Sequence, residues 1–442
     1  MGKKIIVAGL GHGGIATAAI LAQNGFDVTV YEAKKEGTLG YDWTDIFAPG
    51  ALGIAGMPMP PEDKWSYKED MTFFGPSEQV GLRQHVPQDD LEIKLERKDI
   101  YDHFINHAVK NGVKIVYECP VLGPIMIGSR VVGIKTEQGD IYGDLIIDAC
   151  GMNSPVRTKL PAALGVEKTP ARHERITIYR AFFNKASEEE VEAKFKVTVF
   201  KDNKLGVCWV ASEEEHTDVL IGRFEDYDID EVNHFLEILR KDNPRLGTEI
   251  VRGGQFVEIP VRQPLSLMVA DGYAAIGDSA FMTVPVIGSG IANCLRASRI
   301  LADTIIADKN ELFSRETLWA YQYNFFKSLG NGLAPLAAAK LLLLDLTPEE
   351  VDYAFNSGMI NEDNVTIGGS FTSITKMNFD ILDLLNKAKI VCKNQSLLKK
   401  LPGCGLRIGR AMTTCALIPK KYNPSRVMAW KTMYEDTFKY SK

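Results

Sequence analysis

A surplus of positive charge is the first thing this chain lacks: 51 Lys and Arg stand against 57 Asp and Glu, for a formal net charge of −6. Nucleic acid, which calls for a basic face, is therefore not an expected partner. Paired cysteines are missing as well. Cys119, Cys150, Cys208, Cys294, Cys392, Cys404 and Cys415 never fall into a C-x-x-C spacing, so no metal site or dithiol motif is expected, and an odd, dispersed set suits a reducing compartment. No uninterrupted apolar run reaches the roughly eighteen residues that span a bilayer; the best stretch, Leu333 to Leu346, is broken by Pro335 and Lys340. No charged-apolar-small leader pattern precedes the first apolar segment, and there is no internal repeat or low-complexity tract. These absences predict a cytoplasmic protein without a transmembrane segment, with contact to a membrane surface left open.

What is present is a chain of 442 residues, 45% hydrophobic and 24% charged, long enough for two or three globular domains. Its most informative stretch is Lys3 to Glu32, KKIIVAGLGHGGIATAAILAQNGFDVTVYE. Ile5 to Ala8 is the apolar run of a strand buried on both faces, and Gly9, Gly11 and Gly14 follow as G-x-G-x-x-G. The first glycine permits a tight turn, the second lets a pyrophosphate approach the backbone, and the third lets the helix Ile15 to Asn24 pack on the sheet. Gly13 adds an amide without side-chain bulk. The unpaired N–H groups and positive end of that helix suit phosphates. Gly25 stops the helix and Asp27 to Tyr31 is the second strand. Glu32 at its end is placed to accept hydrogen bonds from an adenosine ribose and to repel a 2'-phosphate.

A glycine- and proline-rich connection to about Pro61 follows, in which Tyr41, Asp42 and Trp43 either line a cavity or pack the loop. Trp65 to Gln84 has the mixed pattern of one or two strands lent to another sheet. Arg97 stands just before the helix Lys98 to Lys110, whose Ile100, Phe104, Ile105 and Ala108 recur at helical spacing. Lys114 to Glu118, ending near Val121, is a strand; Arg130 to Thr136 alternates, and Leu145 to Ala149 is continuously apolar. Asp148-Ala-Cys-Gly-Met-Asn-Ser-Pro-Val-Arg157 then makes a turn, with Ser154 as a cap and Arg157 adding charge near the dinucleotide. From about Thr169 to Pro260 antiparallel strands dominate, Arg175 to Phe183, Phe195 to Lys201, Leu205 to Ala211 and Asp218 to Arg223, with a helix at Asp228 to Lys241. Tyr179, Cys208 and Trp209 are candidates for the lining of a pocket, or else core aromatics. The next strand, Tyr273 to Ile276, delivers Asp278 to its carboxyl end, where flavin ribityl hydroxyls could be held. Gly288-Ser289-Gly290 opens a helix bearing Ile291, Leu295, Ser298, Ala302 and Ile305 on one face, its positive end suited to a reduced isoalloxazine. Beyond Asn310 the pattern is helical, with Leu318 to Gly330, Pro335 to Leu346, a capped start at Thr347-Pro-Glu-Glu350, Ile381 to Val391 and Pro424 to Tyr440.

Gly9 to Glu32, Asp148 to Arg157 and Gly277 to Ile291 together resemble the FAD-binding motifs of the para-hydroxybenzoate hydroxylase superfamily. Ile259-Pro260 and the region around Tyr321 and Leu346 to Glu350 look most like the geranylgeranyl reductase family. The resemblance implies an α/β fold with a glutathione-reductase-type FAD-binding Rossmann domain (residues 1–70, 95–165 and 262–310). An antiparallel substrate sheet (71–94 and 166–261) is inserted in it, and a helical C-terminal region (311–442) follows. It implies FAD held by Gly9, Gly11, Gly13, Gly14, Glu32, Arg97, Val121, Asp278, Gly288, Gly290 and Ile291; Tyr41, Tyr179 and Trp209 are the substrate-side candidates from the residues themselves. The implied activity is reduction of a carbon–carbon double bond of a hydrophobic, isoprenoid-like substrate, with electrons from NAD(P)H or a transiently bound small redox protein. A flavin-dependent monooxygenase and a non-catalytic flavin sensor are the alternatives. Ser289 stands where the family often has an acidic residue, and its aromatic and proline substrate motif is only echoed in Gly206 to Ala211.

Overall fold

Ala8, Asp148 and Ala275 are neighbours across three hydrogen-bonded parallel strands, although some 270 positions separate the first from the last. The computed structural model, which describes residues 3–368, 387 and 389–440, places Lys4–Ala8 at the centre of a six-stranded sheet. Its order is Val269–Ala270, Tyr273–Ala275, Leu145–Asp148, Lys4–Ala8, Asp27–Tyr31 and Lys114–Val116, and only the outermost pair, 269–270 against 273–275, is antiparallel. The central strands are buried on both faces, as their unbroken Ile and Val runs require. Because these parallel strands end in register, the segments after Ala8, Asp148 and Ala275 emerge side by side at one carboxyl edge, where open α/β sheets take ligands. Helix His12–Gln23 packs between Arg97–Lys110 and Ile291–Ala307. It begins three residues before the expected Ile15, since Gly13 and Gly14 already lie inside it.

A seven-stranded sheet follows the order Leu246–Pro260, Arg175–Lys185, His216–Arg223, Gly206–Ser212, Phe195–Val199, Thr72–Phe74 and Gly81–Arg83. The stretch from Trp65 to Gln84 is thus divided. Its last two strands extend this sheet, while Trp65–Tyr67 joins Ile93–Glu96 and Thr44–Phe47 in a small antiparallel one. Both faces of the large sheet are covered. Tyr179, Ala181 and Phe183 pack under helix Ile229–Asp242, which is capped by Asp228, and Ile176, Ile178 and Phe182 meet Trp43, Leu220 and Val257 on the other side.

The chain then runs through Arg315–Phe325, a π-helical turn at Phe326–Gly330 and Asn331–Leu343. Pro335 is expected from the sequence to open the helix Pro335 to Leu346. It lies instead in the second turn of a helix leaving the π turn, whose wider winding accommodates the lost backbone donor. Thr347 and Glu350 form the expected capping box, with the Thr347 N–H donating to Glu350 Oε2 at 2.8 Å. Gln395–Ala416 and Pro424–Thr437 complete the described helices; most of the helix expected over 381–391 lies outside the described residues. This region clasps the outer edge of the parallel sheet. The Tyr321 hydroxyl donates to Ala275 O at 2.9 Å, the Met268 N–H to Gln322 Oε1 at 2.9 Å and the Tyr434 hydroxyl to Pro264 O at 3.1 Å. Among the described residues no single helix is long and apolar enough to cross a membrane.

Candidate cofactor and substrate site

The glycine turn is shaped as much by protein as by ligand. Gly9 sits at φ +85°, and a Cβ there or on Gly11 would come within 2.7 and 2.8 Å of the Ala149 carbonyl oxygen. One on Gly14 would meet the Ala149 Cβ at 2.5 Å, and one on Gly13 the Ile276 side chain at 2.9 Å. All four glycines therefore let the first turn close on the ends of the other two strands, a constraint the spacing alone does not reveal. Helix His12–Gln23 starts with no side-chain cap, leaving first-turn N–H groups for an incoming acceptor. Glu32 is 9% exposed; its Oε2 accepts from the Leu10 N–H at 2.8 Å and its Oε1 from the Lys34 N–H at 2.9 Å. Those two bonds fix the carboxylate and leave lone pairs for ribose hydroxyls. Val121 opens the strand Val121–Ile127 two residues after Cys119, whose N–H donates to Glu32 O at 2.8 Å. Glu32→Gln is expected to weaken dinucleotide binding about tenfold and to cost about 1–3 kcal/mol of stability, since its NH2 would face the Leu10 or Lys34 N–H where an oxygen had accepted; flavin titration of the variant against wild type, read beside its urea midpoint, measures both.

His12, inside the glycine motif, was not singled out from the sequence. Its ring stacks on Tyr101 at 4.5 Å, and its Nε2 is buried without a partner. Burial, reinforced by the Arg97 charge, pushes its pKa down to about 3, so the ring is neutral and carries an unpaired polar atom within the glycine motif. The unfolded chain takes up a proton below the ordinary value of about 6.5 while the folded one does not. Stability must therefore fall with acid between pH 6.5 and 3. Acidification from pH 7 to 5 is expected to cost about 2 kcal/mol through this residue, seen as a shallower pH dependence of urea midpoints in His12→Phe.

Arg97 is the first residue of its helix rather than the one before it. Its Nε donates to Asp45 Oδ2 at 2.6 Å, its guanidinium lies 4.8 Å from the Tyr41 ring centre, and its N–H donates to Trp43 O at 2.8 Å. Gly40, at φ +83°, lets the loop lie flat on it, since a Cβ there would meet Arg97 Cγ at 2.8 Å. Burial raises the Asp278 pKa, opposed by the Thr283 hydroxyl bonded at 2.6 Å and by Arg97 and Arg157. The loop from Asp278 and the helix from Arg97 thus share one electrostatic neighbourhood.

Asp148 ties the second motif to the third. Its Oδ1 accepts from the Cys150 N–H at 3.1 Å and the Ser279 hydroxyl at 3.0 Å, and its Oδ2 from the Ser154 hydroxyl at 2.6 Å and the Tyr273 hydroxyl at 3.0 Å. Arg157, expected to lend charge to the dinucleotide, instead donates to the carbonyls of Ser279, Met152 and Lys168. It also stacks on Phe281, which is held at φ +56° between Arg157 and Arg262. Both residues fasten the loop that leads to Gly288.

Gly288 takes φ +70°, and Gly290 precedes helix Ile291–Ala307, again without a side-chain cap. A Cβ on Gly288 would touch Ile259 Cγ2 at 4.0 Å, so the large sheet abuts this helix start. Its facing side is the apolar cluster of Trp43, Ile178, Phe182, Leu220 and Val257, with Tyr41, Trp209 and Ile259 at the margin. Tyr41 and Trp209 are therefore brought together. Tyr179 is not: it and Cys208 lie on the opposite face, under helix Ile229–Asp242, because side chains alternate along a strand. The residue on the predicted side is its neighbour Arg180, 5% exposed. It donates to both oxygens of Asp218 at 2.9 and 2.6 Å and to Thr44 O and Oγ1 at 2.7 Å, and is ringed by Trp43, Phe182 and Trp209. The indole N–H groups of Trp43 and Trp209 are buried without acceptors. A cavity of about 740 Å³ between the 162–174 loop and the last helix contains none of these residues.

Two uncapped helix starts, a fixed carboxylate, an unpaired imidazole nitrogen and a half-buried Asp278 converge on one sheet edge beside an apolar wall. That donor set fits an extended dinucleotide whose ring system faces the wall. No family model matches the chain. It is 24% identical over 328 residues to the digeranylgeranylglycerophospholipid reductase of Haloferax volcanii, covering 68% of this chain and 75% of that one. Its fold is similar to that of a geranylgeranyl bacteriochlorophyll reductase-like protein from Thermoplasma acidophilum, with TM-score 0.70, 18% identity and coverage of 91% and 99%. It is also similar to that of PqsL, a probable FAD-dependent monooxygenase from Pseudomonas aeruginosa, with TM-score 0.59, 16% identity and coverage of 80% and 100%.

Proposed function

We infer that this chain, an FAD-dependent oxidoreductase of the geranylgeranyl reductase family, reduces carbon–carbon double bonds of an isoprenoid chain lying along the apolar face of its large sheet. Reduced FAD, when bound, supplies the hydride. The observation that carries the reading is the approach of Ile259, at the margin of the apolar cluster, to the Gly288 turn, where an added Cβ would lie 4.0 Å from its Cγ2; this puts an apolar face beside the place suited to the flavin ring.

In this reading Gly9, Gly11, Gly13 and Gly14 leave the first helix start open to the pyrophosphate, while Glu32 holds the adenosine ribose and the backbone at Val121 meets adenine. Arg97 and Asp278 hold the middle of the cofactor. Arg97 remains cationic: burial opposes its charge most strongly, but Asp45, Tyr101 and Tyr41 together outweigh it. Gly288, Gly290 and Ile291 present a positive helix end to the ring, which favours its electron-rich state. Trp43, Phe182 and Trp209 orient the hydrocarbon and exclude water, with Tyr41 at the edge nearest Arg97. Electrons enter from a transiently bound nicotinamide or a small redox protein.

The test is anaerobic. The flavin is reduced chemically and mixed with a geranylgeranyl lipid; reoxidation of the flavin together with a product richer by H₂ per double bond is expected. Reoxidation only on admitting dioxygen, with a hydroxylated product, would establish a monooxygenase, for which the likeness to PqsL gives the fold. Retained flavin with no turnover of either kind would mark a sensor.

A further inference from the structure

Between positions 387 and 434 the chain carries eleven Lys and Arg and no Asp or Glu, in a protein whose net charge is −6. The 22-residue helix Gln395–Ala416 lies inside this interval. One side of it is anchored. Leu397, Ala411 and Cys415 are buried and the helix packs along Asn331–Leu343, with the Trp430 indole N–H donating to Thr414 O at 2.8 Å. The other side is not what a solvent-facing helix normally shows. Leu406 is 69% exposed, Leu417 58%, Met412 56% and Leu398 44%, and on a wheel of 3.6 residues per turn these four fall within one sector of about 140°. Exposed Gly403, Gly405 and Gly409 add no polar side chain between them. Lys399 and Arg410 border the sector, Lys420 and Lys421 follow it, all four are exposed, and none has an ion-pair partner among the described residues.

We propose that this face is a membrane-docking surface that seats the protein on an anionic bilayer, with Leu398, Leu406, Met412 and Leu417 entering the headgroup boundary and the flanking basic residues meeting lipid phosphates. The charge supplies the choice of partner: an interval of this length without a single acid is complementary to a negative surface, and each Lys or Arg near such a surface contributes about fivefold in partitioning. The exposed leucines decide between kinds of negative surface. Nucleic acid and acidic proteins offer few apolar contacts to them, whereas a bilayer takes up apolar side chains at its interface.

The FAD-loaded full chain is sedimented with vesicles of phosphatidylcholine alone and of phosphatidylcholine mixed with phosphatidylglycerol, neither containing isoprenoid lipid. A failure of the reductase reading therefore leaves this test intact. Binding at least about tenfold stronger to the anionic vesicles is expected, decreasing with salt. Lys399→Gln with Arg410→Gln is expected to lower it about 30-fold, and Leu406→Ser with Leu417→Ser about tenfold or more, the flavin spectrum staying unchanged as the check on folding. Equal binding to both vesicles, indifference to both double variants, or salt-sensitive capture of a small acidic redox protein with vesicles left unbound would each overturn the proposal.

Discussion

Asp148→Ala is expected to remove about 3–6 kcal/mol of stability, most of the margin of an ordinary domain, and with it nearly all bound FAD. The carboxylate is fully buried and accepts from one backbone N–H and three hydroxyls. Each donor left without an acceptor costs about 1–3 kcal/mol. The damage propagates because the Ser154 hydroxyl, while donating to Asp148, accepts from the Val156 and Arg157 N–H groups as the cap of Pro155–Thr158. Ser279 likewise links Asp148 to Gly151, receiving the Gly151 N–H at 2.9 Å. Alanine would free both hydroxyls to reorient, loosening the 148–157 turn and the Gly277–Gly290 segment together. Asp148→Asn keeps one acceptor oxygen and is expected to recover about half of the loss, whereas Tyr273→Phe removes a single donor and costs about 1 kcal/mol. Urea midpoints at constant m-value, read beside flavin retention, give the ranking. An Asp148→Ala protein within about 1 kcal/mol of wild type, still yellow, would show that the three motifs are held together by something else.

The first motif was legible because glycine spacing, strand, helix and acid all lie within thirty residues, where local rules apply. Asp148 was visible as the start of the second motif, but not as its anchor: Cys150 and Ser154 lie within six residues of it, whereas Tyr273 and Ser279 reach it only through sheet register. The exchange of Tyr179 for Arg180 has a physical cause. Arg175–Lys185 is buried on both faces over its middle, so polarity does not alternate and the side a residue takes cannot be read from the pattern. The strands at Thr72–Phe74 and Gly81–Arg83 are three residues each, too short for a periodicity to declare itself. The capping box at Thr347 and the buried face of Ile291–Ala307 were readable for the opposite reason, since every partner lies within one or a few turns.

Arg180→Met is expected to cost about 3–5 kcal/mol, because it strands Asp218, 2% exposed, without its counter-charge. Arg180→Lys keeps a cation but cannot reproduce the two-pronged contact with Asp218 while also reaching Thr44, so it should lose about half as much. The informative variant is the pair Arg180→Met with Asp218→Leu, which removes both charges and is expected to regain most of the stability. Function should not return with it. The guanidinium also holds the Thr44 carbonyl and hydroxyl, and so fixes Trp43 as a wall of the hydrocarbon surface. The double variant is therefore expected to fold and keep its flavin, yet show a KM for the isoprenoid lipid raised about tenfold, with kcat changed far less, the signature of lost binding that is common to ground and transition states. Full recovery of KM would reduce Arg180 to a fold-stabilising ion pair. A fall in kcat alone would mean that the network acts on the reacting carbon rather than on the position of the chain.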